Sequence, residues 1–299
     1  MSWSPRQRRK NDFLFAAARV GLGLGLALPR TWLRPSGACL GFAAYALLGA
    51  ARRATLANLA LVHPDLDHAA RRNLARAIFR SLGHNLTDTL ALLDPSEDAG
   101  RTLAISPSSE RVLEGALYGG RGVIYATCHL GPWERMAALL AQRGFPISTV
   151  ARESYDPRFH SLVYDKLRAH RHVQVIHRGE PGAPVAIVRA LRKGRVLGLL
   201  MDMPGRIATE DVTWLGLPSR MPAGAARLAL RLRCPVVVGT PAPHPQGLEI
   251  RIAKLESDDL TAGARGEAIL NQRIADALTE RIRLLPTHWP WMHPTFAVA

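Results

Sequence analysis

Lysine is scarce in this chain: of 299 residues only Lys10, Lys166, Lys193 and Lys254 are lysines, so the 39 basic residues are almost all arginine. Acidic residues number 24, leaving a formal net charge of +15 and a pI near 11.0. Such a balance favours acidic partners and says nothing about fold. The basic residues are dispersed and no nucleic-acid reader motif stands among them, so no nucleic-acid partner is expected. Cysteine is equally sparse. Cys39, Cys128 and Cys234 lie far apart in apolar context, which excludes a disulfide scaffold and points to a reducing compartment. There is no CxxC and no HExxH, and His170 with His172 has no companion at ligand spacing, so no metal and no cofactor is expected. A GxSxG elbow and a phosphate-binding P-loop are both missing. Gly21, Gly23 and Gly25 lack the further glycine and leading strand of a dinucleotide fingerprint.

What is present begins with an apolar N-terminus. The basic cluster Arg6, Arg8, Arg9 and Lys10 precedes FLFAAARVGLGLGLALP, and a second apolar stretch follows from Gly37 to Ala51. Arg19 interrupts the first run and no small-residue cleavage site closes it, so a removed signal peptide is not expected. Each run is shorter than the roughly 20 apolar residues of a bilayer span. The reading is a membrane-associating helix pair over residues 1–51, with the basic cluster on the cytoplasmic side; two buried core helices are the alternative. Residues 52–93 carry leucines at helical spacing, broken once at HPDL, and read as a helix–turn–helix lead-in.

Beyond Asp94-Pro95 the pattern changes. Short apolar runs at 122–128, 146–151, 173–177, 195–202, 235–240 and 248–255 alternate with helical segments at Trp133 to Arg143, Phe159 to Ala169, Pro184 to Arg192 and Ala223 to Leu232. This alternation predicts an α/β domain over 52–299, a mostly parallel sheet flanked by helices, with functional groups at the carboxyl ends of strands.

One such end carries candidate chemistry: Cys128-His129-Leu130-Gly131-Pro132-Trp133-Glu134. Inside a continuous helix, residues five apart are turned about 140° from each other and cannot meet. On a loop before a helix they can, and Gly131-Pro132 reads as a helix start with Glu134 in its first turn. A carboxylate beside an imidazole fixes its tautomer and stabilises the imidazolium, which makes His129 a candidate general base oriented by Glu134. A capping histidine with a dipole-matched glutamate is the competing reading. Cys128, next along the strand, is expected to face the opposite side of the sheet.

GVIYATCHLGPWE, an H-x4-E motif after a buried strand, resembles the lysophospholipid acyltransferase superfamily, in particular the bacterial lipid A biosynthesis (lauroyl and myristoyl) branch. The resemblance extends over most of the chain. RRATLANLALVHPDLDHAARRNLARAIFRSLGHNLTD is similar to an arginine-led segment of that branch, ALRKGRVLGLLMDMPG to its strand ending in aspartate, and TWLG and PTHWPWMHPTF to its later blocks. It implies a glycerol-phosphate-acyltransferase-like fold. It also implies transfer of a fatty acyl group from an acyl carrier protein or coenzyme A thioester to a hydroxyl of a membrane lipid or glycolipid, at the cytoplasmic face of a bacterial inner membrane with its anionic surface. His129 and Glu134 take the catalytic roles by that likeness. Arg152 and Asp202 match family positions that bind or orient substrate, a strand-end salt bridge and a helix cap being their plainer alternatives. Two departures bear on the acceptor: Met203 follows Asp202 where the family has glutamine, and His293-Pro294-Thr295-Phe296 replaces a basic ending. A lysophospholipid or aminolipid acceptor is the alternative within the fold, and a non-enzymatic lipid or nucleic-acid binding protein lies outside it.

Overall fold

The computed structural model describes residues 3–27, 29–152, 156, 158, 167, 171–203, 207–293 and 296. Four helices come first: α1 (Pro5–Ala27), α2 (Arg30–Leu47), α3 (Gly49–Val62) and α4 (His68–Ala91). The HPDL break is the turn between α3 and α4, and Asp67 caps α4 by accepting the Ala70 N–H at 2.7 Å. The boundary expected at residue 51 falls inside α3. No helix among the described residues is long and apolar enough to cross a membrane.

Helices α2 and α4 cross at unusually close range because glycines stand at the contact. A Cβ on Gly37 would lie 2.6 Å from Thr87 Oγ1 and 2.7 Å from the Gly83 carbonyl, and one on Gly83 would collide with the Gly37 carbonyl. Backbone thus packs on backbone, as small residues allow.

The rest is α/β. β1 (Leu103–Ile105), α5 (Pro107–Leu117), β2 (Val123–Thr127), α6 (Trp133–Gln142), β3 (Ile147–Arg152), β4 (Gln174–Arg178), α7 (Ala183–Arg192) and β5 (Val196–Leu200) come first. A hairpin follows, β6 (Thr209–Trp214) and β7 (Leu217–Pro222), then α8 (Gly224–Leu232), β8 (Val236–His244), β9 (Gly247–Leu255), α9 (Ala264–Leu284) and a 3-10 turn at Pro286–His288. Seven strands form one sheet in the order β1-β9-β8-β2-β5-β3-β4, in which only β8 with β9 is antiparallel. All six apolar runs read as strands lie in this sheet. The helix expected from Phe159 to Ala169 lies, Leu167 apart, outside the described residues.

Three strands escaped the sequence reading. β1 has only three residues, too few for a period to register. The β6–β7 hairpin turns on Leu215 and Gly216, both with positive φ (53° and 87°), the two-residue geometry that matches strand twist. Leucine is an uncommon residue there; its side chain is buried and its N–H donates to Thr279 Oγ1 at 3.2 Å.

The central strand β2 is buried along its whole length, with one apolar cluster on each face. Tyr125 packs with Met136 and Leu139 of α6, while Ile124, Ala126 and Cys128 face Ile274 and Leu278 of α9. Cys128 therefore points away from the α6 side. Gly239 on β8 leaves the space that the Tyr125 ring fills.

Candidate active site

β2 and β5 are parallel neighbours with Thr127 in register with Leu200. Each chain runs two residues further, and this brings His129 and Asp202 side by side. The His129 N–H donates to Asp202 Oδ2 at 2.9 Å, and His129 Nδ1 lies 2.9 Å from Oδ1. Trp289 Nε1–H donates to Oδ2 at 2.9 Å. The carboxylate is wholly buried, whereas the imidazole keeps 19% of its surface exposed. With Nδ1–H donating to the carboxylate, Nε2 carries the lone pair.

The electrostatics follow from this contact. Burial pulls the His129 pKa down, but the Asp202 charge, their hydrogen bond and the Glu134 charge outweigh it, and the net shift is upward. Burial pushes Asp202 up, but His129 and the donated hydrogen bonds win and hold it below the usual carboxylate range. Burial raises the Cys128 thiol well above its ordinary value, which makes it a poor thiolate nucleophile.

The loop from Cys128 to Trp133 carries the histidine past the end of β2. The Leu130 N–H turns back to the Cys128 carbonyl at 2.7 Å, Gly131 takes φ +60°, and its N–H donates to the His288 carbonyl at 2.9 Å. Pro132 becomes the N-cap and α6 begins at Trp133, one residue later than Gly131-Pro132 implies. The N–H groups of Leu130, Gly131 and Trp133 are thereby used inside the protein rather than offered to a ligand. The Trp133 ring meets His129 edge-on at 4.9 Å, and His293 stands 6.2 Å away.

Of the four residues singled out in the sequence, three converge. Glu134 was expected to orient the imidazole; the structure gives the Nδ1 contact to Asp202, and Glu134 acts on His129 through its charge while lining a cavity. The physical reason is register: strand ends two residues past a ladder pair lie closer than a loop residue and the first turn of its own helix. Arg152 ends β3, exposed, two strands from β2. Trp289 went unrecognised, since nothing in its segment marks a tryptophan as a carboxylate donor. It is fully buried in a group with Trp291, at 5.0 Å, and Trp214, at 6.2 Å. Asn58 secures that group by donating to the Trp291 carbonyl at 2.6 Å and the His293 carbonyl at 3.0 Å.

Beside the dyad an apolar cavity opens between α6 and strands β2, β3 and β5. Thr127, Trp133 and Glu134 stand at its end near His129, while Tyr125, Leu140 and Val196 line it deeper in. It runs along β5 from Leu200 to Val196, about 13 Å at the usual rise per residue. The helix bearing Glu134 is anchored from behind by Arg135, buried at 1% exposure, which reaches Glu97 at 3.2 Å and the Asp98 carbonyl at 3.0 Å. Among the described residues no group of histidine, cysteine and carboxylate side chains suits a metal.

A histidine–aspartate dyad at the carboxyl edge of a mostly parallel sheet, next to an apolar cavity, is the kind of arrangement that can accept a proton beside a bound apolar group. Residues 4–297 match the bacterial lipid A biosynthesis acyltransferase family, and the chain belongs to it. It is similar to phosphatidylinositol mannoside acyltransferase of Mycobacterium tuberculosis, 27% identical over 190 residues, which is 61% of this chain and 57% of the relative. The namesake enzyme of Mycolicibacterium smegmatis is 25% identical over 183 residues, 60% of this chain and 58% of that protein. The matched region thus spans a little over half the length of these relatives.

Proposed function

We propose that the protein transfers a fatty acyl group from a thioester, of acyl carrier protein or coenzyme A, to a hydroxyl of a membrane glycolipid. The observation that carries this reading is the His129–Asp202 pair next to an apolar cavity whose lining includes the neighbouring Thr127, Trp133 and Glu134. His129 Nε2 takes the proton of the acceptor hydroxyl as its oxygen attacks the thioester carbonyl. Asp202 holds the tautomer and stabilises the imidazolium. When the carbon–sulfur bond breaks, the imidazolium returns the proton to the leaving thiolate, giving ester and thiol with no acyl-enzyme and no metal. Glu134 adds negative charge on the cavity side. The acyl chain enters the apolar cavity beside His129. A glycolipid acceptor is favoured over a lysophospholipid or aminolipid by the relatives, both named for acylating a phosphatidylinositol mannoside.

The surface supports action at a membrane. Phe13, Val20, Trp32, Phe42 and Leu47 of α1 and α2 are large, apolar and exposed. Together with the arginine-rich start of α1 they suit a helical face lying in the headgroup region of an anionic membrane, on the cytoplasmic side of a bacterial inner membrane.

The test is mass spectrometry of a bacterial lipid extract incubated with the purified protein and either acyl thioester. A lipid gaining one acyl mass is expected with the wild type and not with His129→Ala. Near wild-type turnover by folded His129→Ala overturns the mechanism, and no product from the wild type with either donor overturns the activity.

A further inference from the structure

The last residue of β2, Thr127, is a polar side chain in an apolar place. It is buried, at 6% exposure, and it lines the cavity beside the dyad. Its Oγ1 has no hydrogen-bond partner among the described residues. Tyr125, two residues earlier on the same face of the strand, shows the ordinary solution, its hydroxyl donating to Met136 Sδ at 3.4 Å. A buried hydroxyl without a partner has lost its water and gained nothing in return, and each such group calls for an explanation. Valine has nearly the same shape, suits a strand at least as well and would avoid the loss.

The position of this hydroxyl is also telling. Thr127 precedes His129 by two residues, about 7 Å along an extended chain. Its backbone is held firmly: it pairs with Leu200 in the ladder, and its carbonyl accepts the Met201 N–H at 2.8 Å. Other donors around the dyad are committed within the protein. The His129 N–H and the Trp289 indole both donate to Asp202, and the N–H groups of Leu130, Gly131 and Trp133 donate to backbone carbonyls. Thr127 thus offers an uncommitted O–H on a rigid strand, at the end of the cavity nearest the histidine.

We propose that Thr127 is a further catalytic residue, whose hydroxyl donates a hydrogen bond to the carbonyl oxygen of the thioester donor and holds the oxyanion that forms there. The assignment rests on the acyl-transfer reading. With its hydrocarbon tail in the cavity, the donor presents its carbonyl between Thr127 and His129. As the acceptor oxygen bonds to the carbonyl carbon, the electron pair of the C=O double bond moves onto its oxygen, where the Thr127 O–H meets it. The double bond re-forms as the carbon–sulfur bond breaks, and the thiolate takes its proton from the His129 imidazolium. Thr127 keeps its own proton throughout. A donor fixed in advance, in a site from which water is excluded, is worth most where charge develops.

The test pairs Thr127→Val with Thr127→Ser in steady-state kinetics, with either acyl thioester as donor and a bacterial lipid extract as acceptor. Valine keeps the shape and removes the hydroxyl. Its kcat is expected to fall about 10²- to 10³-fold with KM changed less than about threefold, the loss of one oxyanion donor. Its Tm equals or exceeds that of the wild type, because a partnerless buried hydroxyl is gone. Serine restores the donor and keeps kcat within about tenfold of wild type. A second readout needs no turnover: the infrared carbonyl stretch of S-lauroyl-pantetheine, labelled with carbon-13 at the carbonyl and bound to His129→Ala. A hydrogen bond lowers this frequency, so adding Thr127→Val is expected to raise it. No product from the wild type overturns acyl transfer and the proposal together. With an active wild type, the proposal alone is overturned by near wild-type kcat in Thr127→Val, by an equal loss in Thr127→Ser, or by a carbonyl stretch that does not move.

Discussion

His129 and Asp202, 73 residues apart in sequence, meet because each lies two residues beyond a register pair of neighbouring parallel strands. The carboxylate takes both the backbone N–H and the ring of His129, so its position fixes where the histidine stands as well as its tautomer. A dyad built on strand ends is held more firmly than one built from a loop and the helix after it.

Asp202→Asn tests the electrostatic half of this pairing. His129 must be neutral to accept a proton, and its folded pKa is raised, so the acidic limb of kcat/KM lies above the ordinary imidazole value in the wild type. Removing the Asp202 charge moves that limb to lower pH. The plateau rate falls by about 10²- to 10⁴-fold as the tautomer is lost. A rate loss with an unmoved limb would show that Asp202 does not act through His129.

Trp289→Phe keeps the ring and deletes the donor to Asp202 Oδ2. One hydrogen bond to a buried carboxylate is worth about 1.5–3 kcal/mol. Part of that appears as a fall in kcat of about tenfold with KM unchanged, measured by steady-state kinetics on a variant of wild-type thermal stability. A rise in KM alone would place Trp289 in binding rather than in holding the dyad.

Gly198→Leu fills the cavity. Gly198 lines it at mid-depth, and a Cβ there would meet only the Ser148 carbonyl, at 3.6 Å. A leucine removes room for several methylenes, each worth about 0.8 kcal/mol when buried. In a competition between donor thioesters of different length, the preferred chain becomes shorter. An unchanged preference would exclude the cavity as the acyl site.

Gly83→Ala separates helix propensity from packing. In an open helix interior, alanine is better than glycine by about 1 kcal/mol. At the α2–α4 crossing its methyl meets the Gly37 backbone, which has no rotamer to escape into. The expected net result is destabilisation by about 1–3 kcal/mol, read as a lowered Tm in thermal unfolding. A raised Tm would show that α2 moves aside freely.

Much of the fold was legible in the residues. Central strands such as VIYAT and VLGLL are continuous apolar runs because both their faces are covered, and amphipathic spacing marked the helices between them. β1 and the β6–β7 hairpin were not legible: one is too short, and the other alternates exposed and buried residues around a leucine in an unusual conformation.

The site divides in the same way. Local chemistry settled that His129 stands on a strand-to-helix loop and that Cys128 faces the other side of the sheet, since strand alternation and the Gly-Pro helix start act over a few residues. Local chemistry named Glu134 as the residue that orients His129, whereas the Nδ1 contact falls to Asp202; nor could it bring Trp289 to the carboxylate or set Arg152 beside Arg178. Those neighbours come from ladders and packing between segments tens of residues apart. Which strands pair, and in which register, depends on how the apolar faces of the whole sheet are covered, and no short stretch of the chain contains that information.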